Sequence, residues 1–185
     1  MCDRFAAISE VDVLSWLSEH TRAPNTVEAY GLGRLVRDRG FTQALDLLMR
    51  LVRFGHNELA VAASECANLL GTWDRMWLAT LIFWAPAPLI SKDEWWATWL
   101  DLSCTLYPLG IRENNIWTEA DGDLSRVRQG SGREEWGIAL EMLRRGGAGG
   151  TMTIEGLLHQ MRRDFGSNAQ LKLLEDIYLK QIRYA

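Results

Sequence analysis

Signals that start and stop α-helices recur along most of the chain. Asn25 with Glu28, and Ser91 with Glu94, have capping-box spacing, in which each side chain accepts a hydrogen bond from the other residue's backbone N–H. Several apolar segments with a helical period are followed by a residue that ends helices, at Gly40, Gly55, Gly71, Pro86 and Pro108. No segment shows the strict apolar–polar alternation of a half-buried strand. We therefore expect an all-α protein.

The spacing of these signals predicts roughly eight or nine helices packed as successive antiparallel helical hairpins, in a bundle or a short solenoid-like stack. The short connections between residues 40 and 91 favour pairing of neighbouring helices. The segment 57–70 is rich in alanine and also contains Ser64 and Cys66. Its small side chains predict that another helix approaches it closely.

A glycine-rich stretch, GGAGG at residues 146–150, predicts a flexible break between two parts of the chain. We expect residues 1–145 to form an α-helical body that includes a Trp-rich helical hairpin at 72–107. Residues 151–185 are then a C-terminal helical hairpin, which we expect to pack on the body.

Composition excludes several functional classes. The chain has 185 residues, 48% of them apolar, and a formal net charge of -4, which disfavours nucleic-acid binding through bulk positive charge. The longest apolar stretch is interrupted by Pro86 and Pro88 and is too short to span a bilayer. The three cysteines lack C-x-x-C spacing, and the histidines (His20, His56 and His159) share no i, i+3 or i+4 pair. We expect a cytoplasmic protein without a metal or cofactor.

Tryptophan is unusually concentrated in the segment KDEWWATWL at residues 92–100. Trp95 and Trp99 continue one apolar stripe of a helix, and the preceding helix carries a matching stripe of Trp73, Trp77, Leu81 and Trp84. Such stripes are typical of a core. Trp96, however, lies on a second face of the same helix, and a helix that is apolar on two faces must be covered by the rest of its domain or by another chain.

This second face is the positive argument for a binding role, because tryptophan and tyrosine are enriched at the energetic centres of interfaces. We predict a non-enzymatic protein–protein interaction module of the adaptor, chaperone-like, inhibitor or immunity type. Its partner is another protein or a second copy of the chain. The predicted contact residues are Trp95, Trp96, Trp99 and Tyr107.

Two alternatives remain open. Residues 126–163 have a locally basic balance, which would suit a small helical subunit of a nucleic-acid-handling complex. The arginines that would contact phosphates or another anionic partner are Arg126, Arg128, Arg144, Arg145, Arg162 and Arg163. The second alternative is an enzyme with a dispersed carboxylate site near the Trp-rich segment, formed by Asp93, Glu94 or Asp101.

Overall fold

The computed structural model describes residues 8–19, 23–82 and 88–183. Within these ranges the chain forms ten α-helices and no strand, which confirms the all-α prediction. The chain divides into two compact units, Met1–Ile90 and Ser91–Ala185. The two helices of the predicted Trp-rich hairpin therefore belong to different units. His20, Trp84 and the helix end predicted at Pro86 lie outside the described residues.

The first unit contains five α-helices. They are α1 (Glu10–Ser18), α2 (Thr26–Arg39), α3 (Thr42–Arg53), α4 (Ala60–Glu65) and α5 (Thr72–Leu81). Capping boxes begin α1 at Ser9 and α2 at Asn25, and Gly40 ends α2 in the left-handed conformation that glycine favours. Neighbouring helices pack together at α3–α4 and α4–α5, and helices two apart pack at α1–α3 and α2–α4.

The closest helix contact in this unit joins α2 and α4 at Gly33. A Cβ atom placed on Gly33 would lie 2.3 Å from the carbonyl oxygen of Ala62, so no larger residue fits without separating the two backbones. Ala62 and Ala63 are fully buried at this crossing. The close approach predicted from the small residues of the 57–70 segment is confirmed. That segment is nevertheless not one long helix, since 3-10 turns at Asn57–Leu59 and Ala67–Leu69 flank the short α4.

Cys66 lies at the end of α4, next to this crossing. Its thiol is buried and donates to the carbonyl oxygens of Gly33 at 3.3 Å and Ala62 at 3.7 Å. Burial raises the pKa of the thiol to about 12.

We expect Cys66 to resist alkylation by iodoacetamide at about pH 8 in the folded protein, because the reactive thiolate is scarcely populated there. In denaturant the same thiol should react readily. Peptide mass spectrometry with and without denaturant measures both rates, and the half-buried Cys104 provides an internal comparison. Rapid modification of Cys66 in the folded protein would contradict the burial of this thiol.

The second unit also contains five α-helices. They are α6 (Lys92–Leu106), α7 (Ile116–Glu119), α8 (Gly132–Arg144), α9 (Ile154–Asp164) and α10 (Ala169–Ile177), and a π-helical turn continues α10 at Tyr178–Ile182. Helix α6 packs against α8 and α10, α7 packs against α9, and α9 packs against α10. The largest fully buried side chains of this unit are aromatic: Trp95, Trp99, Tyr107, Trp117 and Trp136.

The unit boundary after Ile90 differs from the break predicted at residues 146–150. The glycine-rich stretch is instead a turn held against the segment 121–126. The backbone N–H of Asp123 donates to the carbonyl of Ala148 at 3.0 Å, and Arg126 donates to the carbonyl of Gly147 at 3.2 Å. A Cβ atom on Gly149 would lie 2.6 Å from that of Asp123. These glycines allow a close backbone approach, so α9 and α10 remain in the same unit as α6 and α8.

Across the part of the chain that the structure describes, no helix is both long enough and apolar enough to span a membrane.

Candidate functional site

The predicted tryptophan contact surface lies in the interior of the second unit. A capping box of Ser91 and Glu94 starts α6, as predicted. Trp95 and Trp99 are fully buried, and Trp96 is only 7% exposed. The Trp96 and Trp99 rings stack with centroids 5.3 Å apart, and Trp95 meets Trp96 edge-on at 5.1 Å. In this arrangement none of the three rings offers a face to a partner.

The apolar stripe of Trp95 and Trp99 is covered by helices of its own unit. The indole N–H of Trp95 donates to the carbonyl of Leu174 on α10 at 3.0 Å, and that of Trp99 donates to the sulfur of Met161 on α9 at 3.3 Å. Tyr107, at the end of α6, is also buried, and its hydroxyl donates to Asp164 at 2.8 Å. The exposure that the predicted contact role required is absent, because Trp95, Trp99 and Tyr107 contact α9 and α10, and Trp96 is buried beside Trp95 and Trp99.

The six arginines predicted to bind an anionic partner do not form one free patch. Five of them have intramolecular partners. Arg126 pairs with Asp123, Arg144 with Asp93, Arg145 with Glu141 and Arg162 with Glu175, and Arg163 donates to the side-chain oxygen of Gln160. Arg128 is exposed and has no hydrogen-bond or ion-pair partner among the residues that the structure describes. A phosphate-binding surface would need several such guanidinium groups on one face.

The three carboxylates of the enzyme alternative also have structural roles. Asp93 accepts from Arg144 at 2.6 Å, and Asp101 accepts from Arg133 at 2.7 Å. Glu94 caps α6 through Ser91. In residues 8–19, 23–82 and 88–183, no group of three or more His, Cys, Asp or Glu side chains is arranged to hold a metal ion.

The unpaired Arg128 lies at a surface groove of about 460 Å³, which we call the α8 groove. Its lining residues belong to the first turns of α8 and the segment before it: Arg128, Gln129, Gly130, Glu134, Gly137 and Ile138. Ile138 is 38% exposed. A Cβ atom on Gly137 would have no neighbour within 4 Å, so the helix backbone is open to the groove at this position.

The other charged groups of the first turns of α8 have partners. Both the backbone N–H and the hydroxyl of Ser131 donate to one oxygen of Glu134 at 2.8 Å. These two bonds are the main cause that holds the pKa of Glu134 below its usual value, and the charge of Arg128 contributes less. Arg133 pairs with Asp101, and the buried Glu135 accepts from Arg112 at 3.2 Å. Arg128 is therefore the charged group of this region whose guanidinium remains available.

Of the α8 groove residues, sequence analysis identified Arg128 alone. It missed Gln129, Gly130, Glu134, Gly137 and Ile138. A partial signal was present, because Ile138 is an aliphatic residue on the polar stripe that contains Glu134 and Glu141. The pairing of Arg133 with Asp101 and of Glu135 with Arg112 could not be inferred from spacing, since these partners lie far away in the chain, whereas Glu134 has capping-box spacing with Ser131.

A second groove, of about 400 Å³, lies along α2 in the first unit. Gly31, Arg34, Leu35, Asp38 and Arg39 line it. Its described lining comes from one helix, and Arg34 lies 3.5 Å from Glu65. The α8 groove is the stronger candidate because it joins a helix to a separate segment and contains an arginine without a partner.

Comparisons of this chain with protein-family models, with curated proteins and with solved structures found no match.

Proposed function

We propose that the chain is a non-enzymatic protein-binding module and that its contact surface is the α8 groove. The proposal rests on the position of Arg128. Its guanidinium has no hydrogen-bond or ion-pair partner among the described residues, and it lines a groove beside the exposed Ile138. This surface replaces the tryptophan face of α6, whose rings are buried. The free thiols of Cys66 and Cys104 support a reducing compartment such as the cytoplasm.

The mixture of groups along the groove suits a segment of another protein. Ile138 offers aliphatic contact area, the amide of Gln129 both donates and accepts hydrogen bonds, and the open backbone at Gly137 admits a side chain close to the helix. Protein interfaces typically combine an apolar contact with a few directed polar groups. Arginine is also among the residues that most often dominate binding energy.

The charge of Arg128 specifies the partner further. The guanidinium is permanently charged and presents several N–H donors, which match the two oxygens of a carboxylate. Glu134, the acid that also lines the groove, is held by Ser131 and interacts with Arg128 only electrostatically, so a carboxylate that accepts hydrogen bonds from the guanidinium would come from the bound segment. The occupant that fits is therefore a segment of a partner protein with an Asp or Glu side chain next to an aliphatic residue.

Site-specific photo-crosslinking in the native host tests this proposal. The crosslinking amino acid p-benzoylphenylalanine replaces Ile138 in one variant and the exposed Ala97 of α6 in a control variant. We expect a discrete crosslinked protein from position 138 and none from position 97. Arg128→Glu should abolish that product because it places like charges together, whereas Arg145→Glu, which changes an arginine outside the groove, should leave it unchanged.

Three results would overturn the proposal. Equal crosslinking from both positions would mean that the groove has no special affinity. A product containing only a second copy of the chain would show self-association in place of a partner protein. A nucleic-acid product that weakens steeply with salt would support the alternative of a nucleic-acid-handling subunit.

A further inference from the structure

The segment that presents Arg128 is fixed at both ends by one ion pair, between the exposed Arg112 and the buried Glu135. We call residues 127–130 the display loop. Arg112 donates through Nε to Oε1 of Glu135 at 3.2 Å and through Nη2 to the carbonyl of Val127 at 3.3 Å. The same Oε1 atom accepts from the backbone N–H of Gly130 at 3.4 Å. Val127 and Gly130 are therefore held by one pair, and Arg128 and Gln129 lie between them.

We propose that the Arg112–Glu135 pair is a positioning device, which holds the display loop so that Arg128 can recognise a carboxylate in the α8 groove. This inference rests on the proposed function. Arg112 and Glu135 would not touch the bound segment themselves. They would act by limiting the number of conformations in which the loop presents the guanidinium.

The burial of Glu135 is the first argument for such a role. Its side chain is only 2% exposed, and its second oxygen, Oε2, has no hydrogen-bond partner among the described residues. Removing a carboxylate from water is costly, and pairing it with an arginine that is itself 40% exposed recovers only part of that cost. Fold stability alone is thus a weak reason for this pair, whereas a defined loop geometry requires directed bonds of this kind.

The backbone around Glu135 is shaped to admit the carboxylate. Gly110 has a φ angle of +100°, a conformation that other residues rarely adopt. A Cβ atom at this position would lie 2.6 Å from Oε2 of Glu135. The turn before Ile111 therefore requires glycine, both for its conformation and for the space that the carboxylate occupies.

Pre-organisation is the physical benefit of this arrangement. A flexible loop loses conformational freedom when it binds, and that loss subtracts from the affinity. A loop that is already fixed at Val127 and Gly130 loses less. The advantage should be greatest for a ligand that depends on the direction of the Arg128 guanidinium, because directed charge-assisted bonds need both partners in place.

The test compares two capped tripeptides by NMR titration of the full chain, acetyl-Leu-Asp-Leu-amide and acetyl-Leu-Asn-Leu-amide. They differ only in the carboxylate, so the ratio of their affinities reports carboxylate recognition and is insensitive to a general change in stability. For the unmodified chain we expect shifts at the groove amides and a preference for the Asp peptide of about threefold, the size typical of an exposed ion pair. Arg128→Gln should reduce the ratio to one.

The decisive variant replaces both partners, R112M/E135M, and leaves no unpaired buried charge. It should remain folded and yet lose the preference for the Asp peptide. Arg133→Met is the matched control, since it removes an ion pair of α8 that does not touch the display loop. The control should keep the preference. If the double variant does not fold, the Arg112→Lys variant is used in its place. Lysine keeps the positive charge but lacks the planar guanidinium that bonds to both Glu135 and Val127.

The outcomes separate the two proposals. If neither peptide shifts the groove amides, or if Arg128→Gln leaves the ratio unchanged, the proposed function is overturned together with this inference. If Arg128→Gln removes the preference but R112M/E135M retains it, the positioning role alone is wrong. Loss of the preference in the Arg133→Met control would also contradict the inference, because any disturbance of α8 would then be sufficient.

Discussion

Trp96→Ala should lower the free energy of unfolding by about 3–5 kcal/mol, the usual cost of removing a buried tryptophan. The ring packs on Trp95 and Trp99 in the interior of the second unit. Its indole N–H has no hydrogen-bond partner among the described residues, so the expected loss comes from packing and from the cavity that remains. Urea denaturation followed by far-UV circular dichroism measures the effect.

Leu109→Ala is the control for this prediction, because Leu109 is an apolar residue of the same unit that is 77% exposed. It should change the unfolding free energy by no more than about 0.5 kcal/mol. The contact role first predicted for Trp96 has the opposite consequence, namely weaker association with little change in stability. Sedimentation of both variants decides between the two expectations. A stable Trp96→Ala protein with altered association would mean that the ring is a surface residue.

The helical elements could be predicted because their signals are local. A capping box depends on two residues three positions apart, and those at Asn25–Glu28 and Ser91–Glu94 both begin helices. Because these signals are local, the predicted number of helices and the predicted all-α fold class were close to the observed structure. Segment 57–70 is the exception, since its alanine-rich pattern did not reveal that Cys66 ends α4.

The burial of Trp96 could not be predicted from α6 itself. Helical periodicity shows that a face is apolar, but it does not show which element covers that face. The residues that contact the adjacent Trp95, such as Leu174 and Tyr178, lie about half the chain away in sequence. Residues 151–185 were predicted to pack on the body, but the glycines at residues 146–150 were predicted to be flexible and so did not indicate that α9 and α10 share a unit with α6. Once those glycines are seen to form a packed turn, both helices are available to cover the tryptophans.

The same limit applies to the charged groups of the candidate site, because the sequence of one element does not show which other elements contact it. Sequence analysis assigned six arginines equal weight, because each is a cation in a locally basic stretch. Arg126 and Arg145 pair with acids three and four positions away, but the other ion pairs depend on distant carboxylates, as in the pairing of Arg144 with Asp93 across 51 positions. Only tertiary structure distinguishes Arg128 from the others. The buried Glu135 was not predicted either, since its spacing in α8 resembles that of a solvent-exposed first-turn acid.

Gly33→Ala should destabilise the first unit, with a loss of about 1–3 kcal/mol in the free energy of unfolding, as is typical of overpacking. The added methyl group would meet the carbonyl oxygen of Ala62 at 2.3 Å and the Cβ of Glu65 at 2.7 Å. Neither atom is the end of a flexible side chain, so α2 and α4 must move apart. That movement would also lengthen the bond from the Cys66 thiol to the carbonyl of Gly33.

Gly31→Ala provides a control of opposite sign in the same helix. A Cβ atom at Gly31 has no neighbour within 4 Å, so alanine adds no clash there. Alanine favours a helix over glycine by about 0.5–1 kcal/mol, and Gly31→Ala should therefore stabilise the chain by about that amount. Thermal and urea denaturation of the two variants give the comparison. Because the two substitutions are chemically identical and only two residues apart, helix propensity cannot account for a difference in sign. Stabilisation by both would show that α2 and α4 are not in close contact at Gly33.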